Sequence, residues 1–192
     1  MTKHIGIVAG SSEGAALCYR TICLEAQAVM GEHNHPHITM HCVPMAEHMP
    51  HIEANDWASS AELLLASAKK VAQAGADFAI CPDNTYHQAI DIIRSRSPIP
   101  WLHIAEAVAA ESRQVGYTKL GIMGTKYLTV GPVYRAAVEH NEVVEKLKQR
   151  GCDAVVLGCT ELPLIVRHDD CPLPTLDSTR LLARAALRKA VE

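Results

Sequence analysis

With 192 residues, 48% of them hydrophobic and 20% charged, the chain has enough apolar material for one large domain or two small lobes, each with a buried core. A net charge of −3 without an arginine-rich run leaves no basic surface for a phosphate backbone, so nucleic acid is excluded as an expected partner. No apolar run approaches the ~20 residues that span a bilayer, and Ile5–Ala9 is too short for a secretory core, so no membrane association is expected and the expected location is the cytoplasm.

Ile5 to Ala9 predicts a strand, and Gly10-Ser11-Ser-Glu-Gly14 a tight loop before an apolar-periodic helix from Ala15 to Met30. That loop lacks the glycine spacing and lysine of a phosphate cradle, and its backbone N–H groups suit a carboxylate instead. His33, His35, His37 and His41 crowd the next segment. Pro36 and the lack of acidic or thiol partners favour a loop there over a metal site. Ile38 to Pro44 predicts a strand, and Met45 to Asn55 a loop or short helix. Asp56 is placed to cap a helix from Trp57 to Ala74 that Gly75 ends, with Leu63, Leu64, Ala68, Val71 and Ala72 as its buried stripe. Phe78 to Cys81 reads as a central parallel strand with Asp83 just past its carboxyl end, the edge where open α/β sheets bind ligands. Helix is expected over Ala89–Arg94, strand over Ile99–Ile104, and helix over Ala105–Val115, stopped by Gly116. Strand follows over Leu120–Met123, helices over Leu128–Glu139 and Val143–Gln149, strand over Ala154–Leu157, and a closing amphipathic helix from Ser178 to Ala190. Seven cysteines, an odd number without a Cys-x-x-Cys pair, predict mostly buried reduced thiols.

The segments align with one another in a faint repeat. Gly75-Ala-Asp-Phe-Ala-Ile-Cys-Pro-Asp83 matches Gly151-Cys-Asp-Ala-Val-Val-Leu-Gly-Cys159 without a gap, Ile5–Gly10 matches Leu120–Thr125, and Pro98–His103 matches Pro172–Asp177. Gly6 precedes Gly75 by 69 positions while Gly121 precedes Gly151 by 30, so the second half is 39 positions shorter, room for a strand and a helix. Asp83 and Cys159 stand at equivalent strand ends. A carboxylate and a thiolate so placed can remove a proton from one face of a carbon and return it to the other. Asn84, Thr85, Thr125 and Thr160 supply donors for a substrate carboxylate and for the charge that develops on it. Glu161 or His87 is placed to tune Cys159, whose thiolate is the reactive form. Asp83 keeps a second reading, as a helix cap before Asn84-Thr85.

Gly158-Cys159-Thr160-Glu161-Leu162-Pro163, Asn84-Thr85-x-His87, Ile99-Pro100-x-Leu-His103-Ile104, Gly121-x-x-Gly124-Thr125 and Leu176-Asp177-Ser178-Thr179 together resemble the aspartate/glutamate racemase family. The resemblance implies an α/β fold of two pseudo-symmetric lobes, each a mostly parallel sheet flanked by helices, with the site between them. It implies residues 1–102 as one lobe, helix 178–192 packed back on it, and 103–177 as a shortened second lobe. It further implies catalysis by Cys159 and Asp83, substrate binding by Gly10, Ser11, Asn84, Thr85, Thr125, Thr160 and Glu161, no cofactor and no metal, an acidic amino acid or similar small carboxylate as substrate, and a homodimer. Two features depart from the family pattern. Asp83 stands where the family has a cysteine; Cys81, on the same strand face but about 6–7 Å further back at ~3.3 Å per residue, does not stand in for it. The segment after Asn141 lacks a strand, a helix and a basic residue. The departures keep two alternatives open: a one-cysteine decarboxylase or isomerase of the same superfamily, and a catalytically silent carboxylate-binding protein.

Overall fold

The computed structural model describes residues 2–125, 127–128, 133, 144–160, 162–166 and 171–192. The first half begins with β1 (Ile5–Ala9), buried along its whole length as a strand covered on both faces must be. Ser11 caps α1 (Ser12–Met30) by accepting the Gly14 N–H at 3.2 Å. Then come β2 (Ile38–Cys42), α2 (Met45–Glu53), α3 (Trp57–Gln73), β3 (Phe78–Ile80), a 3-10 turn (Asn84–Tyr86), α4 (His87–Ile93), β4 (Trp101–Leu102) and α5 (Ile104–Val115). The second half holds β5 (Leu120–Met123), α6 (Val144–Gln149), β6 (Ala154–Leu157), α7 (Leu162–Ile165), β7 (Thr175–Asp177) and α8 (Ser178–Val191). The strands form two sheets, ordered β2-β1-β3-β4 and β5-β6-β7, and every pairing is parallel. The helix expected over Leu128–Glu139 lies almost wholly outside the described residues.

Local signals place most boundaries. Asp56 caps α3 by accepting the Ser59 N–H at 3.0 Å, and Gly116 ends α5 in the left-handed region at φ 90°. The strand expected over Ile99–Ile104 is reduced to Trp101–Leu102, because Pro100 has no N–H for the ladder and His103 serves α5 instead, its Nδ1 accepting the Ala105 N–H at 3.2 Å. Met45–Glu53 forms a helix.

The repeat holds bond by bond. The Asp77 N–H donates to the His4 carbonyl and the Asp153 N–H to the Lys119 carbonyl, both at 2.8 Å. Ala76 and Cys152 each reach back to the preceding helix, at Val71 and Leu147, over 3.0 Å. Ala79 bonds the Pro100 carbonyl and Val155 the Pro174 carbonyl. The paired glycines are explained by contact: a Cβ on Gly6 would lie 2.8 Å from Val71 Cγ2, and one on Gly121 would lie 2.4 Å from Leu147 Cδ1. β1, β3 and β4 therefore correspond to β5, β6 and β7. β2 has no counterpart among the described residues, in keeping with the shorter second half.

α8 joins the cores. Leu182, Ala183, Ala186 and Ala190 pack with Ile5, Ile7, Ile22 and Phe78, while Leu181 packs with Leu120, Ile122 and Val156. Its exposed side carries Arg184, bidentate to Glu25 of α1. The cysteines are less buried than expected: Cys18, Cys81 and Cys152 are buried, but Cys42 at the end of edge strand β2 is exposed and Cys23, Cys159 and Cys171 are half-buried.

Candidate functional site

A cavity of about 270 Å³ opens at the carboxyl ends of both sheets. Ser11 enters it from the turn after β1, Asp83 to Thr85 from the end of β3, Thr125 from the end of β5, and Cys159 and Thr160 from the end of β6. Seven of the residues singled out from sequence are thus brought to one place from four separate strand ends. Gly10 stands just outside the lining, and Glu161 lies outside the described residues.

Asp83 is buried, and its carboxylate accepts the Gly10 N–H at 2.8 Å through Oδ2 and the Ser11 N–H at 3.1 Å through Oδ1. The loop at the start of α1 does bind a carboxylate, as its free N–H groups suggest, but the carboxylate is the protein's own. Asp83 makes no side-chain bond to the 3-10 turn that follows it, so the local cap expected for it is replaced by a cap on the helix start of another segment. Gly10 is required here by close approach, since a Cβ would fall 2.3 Å from the Tyr86 hydroxyl.

Asn84 and Thr160 tie the halves together. Asn84 Nδ2 donates to Ser178 Oγ at 3.0 Å, and that hydroxyl donates to the Leu157 carbonyl at 2.8 Å, two residues before Cys159. Ser11 Oγ and Thr160 Oγ1 lie 3.4 Å apart, and a Cβ on Gly14 would meet Thr160 Cγ2 at 2.7 Å. Movement of the β6 end therefore strains bonds that begin on β1 and β3.

Of the two candidates for tuning Cys159, Glu161 lies outside the described residues and His87 stands away from the cavity. His87 is fully buried, donates from Nε2 to the Cys81 carbonyl at 2.9 Å, and does not line the cavity. Burial holds its imidazole well below the ordinary range, with the neighbouring His103 adding to the effect. Cys81 is likewise behind the cavity wall; burial first, then the Asp83 charge, pushes its thiol well above the ordinary range, so it stays protonated and inert. Burial and Asp83 also raise the Tyr86 phenol, whose hydroxyl has no partner among the described residues.

Sequence reading missed the remaining wall. Met45, Met49 and Ile52 of α2 line the cavity, joined by Tyr127. Their i, i+4, i+7 spacing was the available signal, since it sets three apolar side chains on one helix face. Among the described residues no group of three His, Cys, Asp or Glu is arranged to hold a metal ion, and no helix is long and apolar enough to cross a membrane.

Residues 7–143 and 140–186 match the model of the Asp/Glu/Hydantoin racemase family. The broad specificity amino-acid racemase RacX of Bacillus subtilis (strain 168) is 21% identical over 199 residues, covering 86% of this chain and 86% of that protein. The crystal structure of a candidate Asp/Glu racemase from Yersinia pestis has a TM-score of 0.90 at 27% identity, covering 99% of this chain and 100% of the other. An aspartate racemase homologue from Pyrococcus horikoshii OT3 shares the fold with a TM-score of 0.85 at 22% identity, each chain covered in full. A family match that spans both halves of the repeat, with strand ends converging on one cavity in a fold shared end to end, makes the chain a member of the Asp/Glu/Hydantoin racemase family.

Proposed function

We propose that this chain is a pyridoxal-independent, racemase-like isomerase that removes and returns the α-proton of a small carboxylate, the family resemblance implying aspartate, glutamate or a similar compound. The reading is carried by one observation: Cys159 and Asp83, at equivalent strand ends of the repeat, line one cavity. The Asp83 carboxylate takes the α-proton, the electron pair delocalises into the substrate carboxylate, and hydroxyls of Thr85, Thr125 and Thr160 donate to the oxygen that gains charge. The Cys159 thiol then delivers a proton to the opposite face; the reverse reaction exchanges the two roles.

A second reading has its own support. Both Asp83 oxygens already accept backbone N–H groups, so the carboxylate is anchored at the start of α1 and must reach the substrate α-carbon with the lone pair that each oxygen keeps. If it does not, Cys159 is the sole proton-handling group, and the activity is one-faced exchange or decarboxylation. The third reading is a silent carboxylate-binding protein. Incubation in deuterated water with L- and D-amino acids and a substituted malonate, followed by proton NMR, separates them. Two-group catalysis gives α-deuteration with inversion, a single thiol gives deuteration of one enantiomer with retention or CO₂ release, and absence of all exchange overturns both enzymatic readings. Cys159→Ala is expected to abolish every signal. Size-exclusion chromatography with light scattering tests the homodimer that the resemblance implies.

A further inference from the structure

The cavity is chemically two-sided. One wall presents hydroxyls from Ser11, Thr85, Thr125 and Thr160, while α2 presents thioether and alkyl groups. Met45 is 42% exposed and Ile52 5%, with Met49 between them in sequence and partly buried, so the apolar wall runs from solvent to the core. Asp83 is the one formally charged side chain among the described lining residues, and it is an anion fixed by two backbone N–H groups.

These features favour different parts of a substrate. An α-carboxylate finds hydroxyl donors on the polar wall. A second carboxylate on the side chain would lose water against methionine and isoleucine, which is unfavourable. An alkyl or thioether side chain gains by leaving water at that wall, and methionine side chains adapt to several such shapes.

We propose that the substrate is an α-amino acid with an uncharged, apolar side chain seated against Met45, Met49 and Ile52, and that the cavity discriminates against the dicarboxylates aspartate and glutamate. The inference rests on the reading that this cavity receives the substrate, and within that reading it replaces the acidic substrates that the resemblance implies with apolar ones.

The test measures binding and chemistry separately on the intact protein. Calorimetric titration with both enantiomers of methionine, leucine, glutamate and aspartate is expected to show the apolar pair binding about tenfold or more tightly than the acidic pair, the scale of a few methylenes in an apolar pocket. Met45→Lys, at the exposed end of the wall, is expected to shift that preference about tenfold toward glutamate. Equal or tighter binding of the dicarboxylates overturns the inference, as does binding of neither class. A preserved apolar preference without α-deuteration of the bound amino acid supports the inference and overturns the proton-transfer reading.

Discussion

Asp83 is the residue on which the proposed chemistry turns. Its carboxylate satisfies two N–H groups at the start of α1 that would otherwise be buried without an acceptor. Asp83→Ala is therefore expected to lower the unfolding free energy by about 2–3 kcal/mol, the scale for losing hydrogen bonds to a charged group, as measured by urea denaturation. Asp83→Cys creates the thiol pair seen in the family pattern at the cost of the same two bonds. Inverting deuterium exchange is expected to rise in that variant while its urea midpoint falls; an unchanged midpoint would show that the anchor contributes nothing. Cys159 was singled out from the Gly-Cys-Thr-Glu motif and from its place in the repeat, and the structure sets it in the lining of the same cavity. The partners of Asp83 were not legible, because they lie 72 and 73 positions away and only the pairing of β1 with β3 brings them together.

At the scale of elements, the repeat is a packing rule. Gly6 and Gly121 occur at matched points of β1 and β5 because the helix before the neighbouring strand presses a side chain onto each. Gly121→Ala must displace Leu147, which is fully buried, and is expected to cost about 1–3 kcal/mol, the usual scale of core overpacking. Gly6→Ala presses against Val71, whose branched side chain has little rotamer freedom, and should cost a similar amount. Denaturation curves for the two variants check this, and a loss below about 0.5 kcal/mol in both would remove the packing explanation. Helix limits were readable where a cap or a left-handed glycine marks them, as at Asp56 and Gly116. The α2 wall escaped notice because its apolar face acquires meaning only when the β3 and β6 ends are set opposite it.

For the whole molecule, buried histidines set the response to acid. Burial pushes His48 down to about 4, helped by the charge of His51. Burial also depresses His87, with His103 adding to it, and depresses His103 against the opposing pull of Asp91 and Glu106. Each stays neutral in the fold but takes a proton near its ordinary value of 6.5 once the chain unfolds. The unfolded state thus binds more protons below pH 6.5, so the stability present above that pH is lost progressively as pH falls toward 4. Urea midpoints are expected to drop across this window, before most carboxylates titrate. A midpoint constant from pH 7 to pH 4.5 would contradict it.

The sequence alone determined the alternation of strands and helices, their caps, the duplicated plan and the strand ends that carry polar side chains. Those features depend on residues a few positions apart, through periodicity, capping and glycine geometry. Only the tertiary structure decided that the α1 loop binds Asp83, that His87 and Cys81 stand outside the cavity lining, and that an apolar helix face lines the same cavity as the hydroxyls. Each of these depends on segments distant in sequence and on the burial that their meeting creates.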